Sequence, residues 1–157
     1  MFDIANPTVI RELTQIANKD REGILRPERV VAAAQPKESI LHKYFEWDDT
    51  EAAVEYRLHQ ARTLIRCTVR YVKLNGDRRP VRVFTSLRED RFDSGGYRLM
   101  VNVLSSKTLR RQMLEDALAE LQQFERKYND LRELSEVFAA SKKIRQQLLL
   151  AWGKAAA

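Results

Sequence analysis

Apolar positions along the chain change period twice, from helical spacing to alternation and back to helical spacing. The pattern centres on Ser39 to Arg66, SILHKYFEWDDTEAAVEYRLHQARTLIR. Ser39 is placed to cap a short helix carrying Ile40, Leu41, Tyr44, Phe45 and Trp47. Asp48, with Glu51 three residues on, makes a capping box, in which two side chains satisfy the free amides of a helix start. The helix it opens sets Val54, Leu58, Ala61 and Ile65 on one stripe. Upstream, Asn6-Pro7 predicts an N-cap and a first-turn proline, followed by a stripe of Val9, Ile10, Leu13, Ile16 and Ala17 and a stop at Gly23. Pro27 starts a further helix with small residues on one face, and Pro36 ends it. Pro27 to Trp47 thus predicts helix, turn, helix. It is either a helix-turn-helix with His42, Lys43 and Tyr44 facing a groove, or two helices of an ordinary bundle.

Alternation follows. Ile65, Cys67, Val69 and Tyr71 alternate with Arg66, Thr68, Arg70 and Val72; Val81, Val83, Thr85 and Leu87 alternate with Arg82, Phe84, Ser86 and Arg88. Period two predicts two strands, joined by a turn at Asn75-Gly76-Asp77. A two-residue Asn75-Gly76 loop sets Arg70 opposite Val81 and mixes the faces. Setting Tyr71 opposite Val81 and Val69 opposite Val83 keeps the apolar sets together and needs an odd loop centred on Gly76. Pro80 has no amide for a ladder, so an edge strand is expected there. The second register puts Arg66, Arg70, Arg82 and Arg88 on the polar face with Phe84 among them, and Arg78 and Arg79 at the tip. Tyr97, Leu99, Val101 and Val103 form a third alternating run, expected to complete a three-stranded sheet. The DSGG segment before it lacks the Lys and Ser/Thr of a phosphate-binding loop, so it is expected to be a turn.

Ser105 or Ser106 caps the final helical region, in which Leu114, Ala117, Leu121, Phe124, Tyr128 and Leu131 make a heptad-like seam. The phase then shifts to Leu134, Val137 and Phe138, so the helix either continues or breaks near Asn129 and folds back. An amphipathic helix must bury its stripe, on a second copy or on its own domain. The seam residues Leu114, Leu121, Phe124, Tyr128 and Leu131 are the candidate oligomerisation set. Lys142, Lys143 and Arg145 are expected to be a solvated face.

Charge sharpens the picture. The chain of 157 residues carries a net +6, and eight bases against Asp77, Glu89 and Asp90 place +5 of it between Arg66 and Arg91. Arginine forks match phosphate oxygens, neutralised phosphates release counterions, and an aromatic among arginines can stack on an exposed base. The alternative is a solvated sheet face whose arginines pair with acids of the tail. Cys67 is the one cysteine, which excludes an internal disulfide framework and points to a reducing cytoplasm. His42 and His59 are isolated, and Asp48, Asp49 and Glu51 sit where a helix dipole favours acids, so no metal, cofactor or catalytic set is expected. A small nuclease would need a clustered acid or histidine set. The N-terminus lacks a secretory pattern, and no apolar run approaches the roughly 20 residues of a membrane span. A soluble protein without a membrane partner is expected.

Two segments resemble a group of small proteins encoded by phages and prophages. In the first, Leu25-Arg26-Pro27-Glu28 leads to Leu41-His42, then to Phe45-Glu46-Trp47-Asp48-Asp49 and Arg57-Leu58-His59-Gln60-Ala61-Arg62. The second, from Gly95 to Phe138, resembles the later half of the same group. The resemblance implies a viral or prophage origin in a bacterial host and carries over no activity and no site residue.

The expectation is an α+β chain in three parts. Residues 1–66 form a helical unit with a helix-turn-helix-like segment, 67–104 a basic three-stranded sheet with a wing-like hairpin, and 105–157 a helical oligomerisation tail. The function expected is non-enzymatic DNA binding by a homo-oligomer in the bacterial cytoplasm. The alternative is an interaction module that docks a phage or host protein through the tail.

Overall fold

Helix α1 (Pro7–Asn18) begins where its cap predicts. The Asn6 side chain accepts a hydrogen bond from the Thr8 amide at 2.9 Å, and Pro7 occupies the first turn, where a missing N–H is no loss. Val9, Leu13, Ile16 and Ala17 are buried along one stripe. The computed structural model describes residues 5–47, 51–74, 77–92 and 95–155. Past the end of α1, Gly23 takes φ 68°, the left-handed region where a Cβ is strained, and turns the chain into strand β1 (Ile24–Leu25). Helix α2 (Pro27–Ala34) starts on its proline and stops before Pro36.

The helix predicted from Ser39 to Trp47 does not form. Ser39 Oγ accepts the Leu41 amide at 3.3 Å, but the chain then makes a single 3-10 turn, His42–Tyr44, before Phe45 extends. Side-chain hydrogen bonds to backbone carbonyls hold this turn in place. His42 Nδ1 lies 3.0 Å from the Ala34 carbonyl at the end of α2, and Trp47 Nε1 donates to the His42 carbonyl at 3.0 Å. Leu41, Tyr44 and Phe45 are all buried, so one turn followed by extended chain buries the same i, i+3, i+4 set that the predicted helix would have buried. The predicted helix-turn-helix over Pro27–Trp47 therefore lacks its second helix. The element packed on α2 is helix α3 (Glu51–Cys67), with Ala34 and Ala61 fully buried. The Asp48 cap predicted for α3 lies outside the described residues. Ala53, Ala61, Leu64 and Ile65 are buried, whereas Val54 is exposed, so the buried stripe is rotated from the one predicted.

The alternating run is divided between two sheets. Ile65, Arg66 and Cys67 stay in α3, and strand β2 (Val69–Leu74) begins after Thr68. Thr68 is buried: its hydroxyl donates to the Leu64 carbonyl at 2.7 Å, and its own carbonyl accepts the Val83 amide at 3.2 Å. Strand β2 pairs antiparallel with β3 (Asp77–Arg82) as a two-stranded ribbon. The chain bends at Val83, and β4 (Phe84–Thr85) joins a different sheet, in the order β1–β5–β4, with β5 (Tyr97–Leu99) at its centre. The bend buries both Val83 and Phe84, which strict alternation puts on opposite faces. The third alternating run stops at Leu99, and Val101 and Val103 belong to helix α4 (Met100–Ser105).

The α+β class is as expected, but the helical segment and the sheet are not separate parts. Leu13, Leu25, Val30, Leu41, Ile65, Phe84 and Leu99 belong to one core, within a compact unit that ends at Arg110. Arg98 on β5 braces it. Its guanidinium donates to both Asp90 carboxylate oxygens at 2.7–3.0 Å and to the Glu22 carbonyl at 2.8 Å. The hydrogen bonds to Asp90 hold the guanidinium firmly protonated although burial opposes this. Gly96 packs against β1 so closely that an added Cβ would meet Ile24 Cγ2 at 2.5 Å and the Asp90 carbonyl at 3.3 Å. Gly96→Ala is expected to destabilise the fold by about 1–3 kcal/mol, read as a lower midpoint in thermal melting.

The unit from Arg111 onward is a helical hairpin. Helix α5 (Lys107–Tyr128), whose start Ser106 caps through the Leu109 amide at 3.3 Å, stops at Asn129-Asp130. A 3-10 turn (Arg132–Leu134) leads into helix α6 (Ser135–Ala155). The helices are antiparallel: Phe124 and Phe138 rings lie 6.2 Å apart, Glu125 pairs with Lys142 at 2.8 Å, and Arg111 lies 5.0 Å over Trp152. The chain folds back, which settles the choice between one helix and two.

Candidate nucleic-acid interface

The ribbon pairs Val69 with Arg82, Arg70 with Val81, Tyr71 with Pro80, Val72 with Arg79, Lys73 with Arg78 and Leu74 with Asp77. This is the register of a two-residue Asn75-Gly76 loop, not the one with Tyr71 opposite Val81. That choice assumed a buried apolar face, and the ribbon has none: no described side chain from Arg70 to Arg82 is buried. With no core to penalise mixed faces, the apolar pattern does not set the register. Strand β3 pairs with β2 alone, so Pro80 does lie in an edge strand.

Opposed residues share a face and neighbours alternate. One face carries Val69, Tyr71, Lys73, Arg78, Pro80 and Arg82; the other carries Arg70, Val72, Arg79 and Val81, with Asp77. Five cations against Asp77 give these fourteen residues a net +4 of the chain's +6. Arg79 reaches Asp77 at 3.4 Å, but the two side chains are 66% and 71% exposed. Such a pair is worth about 0–1 kcal/mol and holds the arginine weakly. Arg78 lies 4.8 Å over the ring of Tyr71, which is 48% exposed.

The other predicted contact residues are scattered. Arg66 is exposed in the last turn of α3, its Nε donating to the Arg62 carbonyl at 3.2 Å. Arg88 is exposed beyond β4, ahead of a 3-10 turn at Glu89–Arg91. Phe84 is 2% exposed, inside the core, and is excluded as a stacking residue. Its assignment took Val81 to Arg88 as one strand, and the bend at Val83 reverses the phase. The aromatic side chain on the ribbon is instead Tyr71. The signal for it was present, because an Asn-Gly turn of two residues puts Tyr71 opposite Pro80. Of the predicted groove-facing set, Tyr44 is 7% exposed and in the core. His42 is half-buried and stacked on Trp47 at 4.8 Å, and Lys43 alone of the three is exposed.

In the tail, Leu121, Phe124 and Leu131 are exposed, whereas Leu114 and Tyr128 are half-buried. Phe124 also packs on Tyr128 at 4.8 Å within the hairpin, so the predicted seam partly serves the fold-back. Among the described residues, no three His, Cys, Asp or Glu side chains converge as metal ligands, and no helix is long and apolar enough to cross a membrane. What the fold defines is an α+β unit with a projecting basic ribbon, followed by a helical hairpin. No family model, curated protein or solved structure matches the chain.

Proposed function

We propose that this chain is a non-enzymatic, phage-type DNA-binding protein, acting as a homo-oligomer in the cytoplasm of a bacterial host and gripping phosphate with the β2–β3 ribbon. The observation that carries the reading is the concentration of five cations on fourteen residues with no buried side chain among those described. Guanidinium and ammonium groups held out from the core reach phosphates without disturbing the fold, and the counterions released supply the affinity. The test is a titration of random double- and single-stranded oligonucleotides at several salt concentrations. Five neutralised phosphates give a log–log salt slope of about −3.5 on single strands and −4.5 on duplex. No binding at low salt would end the reading.

Oligomerisation is assigned to the tail. Phe138 is the one buried residue among the described side chains of the hairpin, and Leu121, Val137 and Ile144 are exposed. Two helices leave such residues in water, whereas two hairpins packed together bury them and pair two ribbons, as two-fold DNA-binding proteins do. Burying a large apolar side chain contributes about 1.5–3 kcal/mol. Because both copies carry the change, replacing Leu121 and Ile144 by Lys removes about four such side chains and is expected to weaken self-association by more than about 10⁴-fold in sedimentation equilibrium.

The same exposed residues favour a second reading, in which the tail docks a phage or host protein. A monomeric wild-type protein with no DNA affinity, whose capture of a host partner is abolished by that double substitution, would establish the second reading.

A further inference from the structure

We infer that the ribbon binds through its Tyr71 face, and that its ligand is a single-stranded segment of nucleic acid with one base laid on Tyr71. The inference rests on the phosphate-gripping reading and adds to it a face and a strand class.

The two faces differ in charge. Lys73, Arg78 and Arg82 lie with Tyr71 and no acid, a net +3. Arg70 and Arg79 lie with Asp77, a net +1, and Arg79 is already turned to that carboxylate. Tyr71 also lies outside the core cluster, opposite Pro80, with the Arg78 guanidinium 4.8 Å over its ring. The half-exposed Tyr71 ring and the guanidinium over it are both groups on which bases stack.

Spacing supports the same ligand. Tyr71 stands two residues from the Val69–Arg82 rung and two from the Lys73–Arg78 rung. Each rung is therefore about 6.6 Å away along the strand. A base on the ring has cations on both sides to meet its flanking phosphates. Such a base must be free of its neighbours, and unstacking it from a duplex costs a few kcal/mol. A duplex groove is read mainly by arginine, amide and hydroxyl side chains at base edges. The Tyr71 face carries no Asn or Gln to read an adenine edge.

The test is fluorescence anisotropy of the full chain on labelled oligo-dT and on a duplex of equal length. The wild type is expected to favour the single strand. Tyr71→Ala and Tyr71→Leu should each lose about 5- to 150-fold on oligo-dT, with Tyr71→Phe retaining the affinity. Arg78→Glu with Arg82→Glu should cost far more than Arg70→Glu with Arg79→Glu. If the wild type binds but Tyr71→Ala is unchanged on oligo-dT, or the two arginine pairs cost the same, the inference is overturned and phosphate gripping stands. If the wild type binds neither oligonucleotide, both fall together.

Discussion

Reversing the charge at Arg78, Arg79 and Arg82 together is expected to abolish nucleic-acid binding and to leave the thermal midpoint unchanged. Replacing the three arginines by glutamate takes the ribbon from +4 to −2. A hydrogen bond to a charged group contributes about 1.5–3 kcal/mol, so losing the Arg78 and Arg82 contacts of the Tyr71 face alone weakens binding by at least about 10²-fold. Repulsion between the new carboxylates and phosphate adds to this. Stability is insulated because all three side chains are exposed and the Arg79–Asp77 pair is solvated. Anisotropy gives the affinity, and a circular-dichroism melt of the same sample gives the midpoint. Unchanged affinity in a folded variant would remove the ribbon from the interface. A fallen midpoint would mean that the arginines serve the fold.

Phe84→Ala is expected to do the reverse. Phe84 pairs with Leu99 between β4 and β5 and is 2% exposed. Truncating a buried phenylalanine costs about 3–5 kcal/mol, through lost burial and the cavity left behind. Against the 5–15 kcal/mol of a typical domain this is a large share, about 10–20 °C in melting midpoint. Phe84→Leu keeps most of the volume, so it should melt within a few degrees of the wild type and bind nucleic acid with the same affinity. A Phe84→Ala protein that melts normally but has lost binding would return Phe84 to the surface and refute the phase reversal at Val83.

Phe84 and Tyr71 show where a period-two pattern stops being informative. Alternation states that two faces exist; it does not state which face is buried, or whether a run crosses from one sheet into another. Val81 to Arg88 alternates apart from Phe84, an apolar residue in the polar phase, and there the chain leaves the ribbon at Val83 and enters the three-stranded sheet at Phe84. The partners of that bend are the Thr68 carbonyl, which accepts the Val83 amide at 3.2 Å, and the Met100 amide, which donates to the Val83 carbonyl at 2.8 Å. Likewise, the Ser39–Trp47 turn is held by the Ala34 carbonyl and by burial of Leu41, Tyr44 and Phe45.

By itself the sequence determined whatever depends on a few neighbouring residues. This covers the helix starts at Asn6-Pro7, Pro27 and the Ser105-Ser106 pair, the buried stripe of α1 and the clustering of charge between Arg66 and Arg91. A cap, a proline or a tight turn acts on the backbone within one turn of itself, so its effect is written where it occurs. Only the tertiary structure decided that α3 replaces the predicted second helix, that the tail doubles back, and that the ribbon stands clear of the core with Tyr71 rather than Phe84 on its surface. Burial belongs to the elements that meet, and an apolar residue with nothing packed against it remains in water whatever its period.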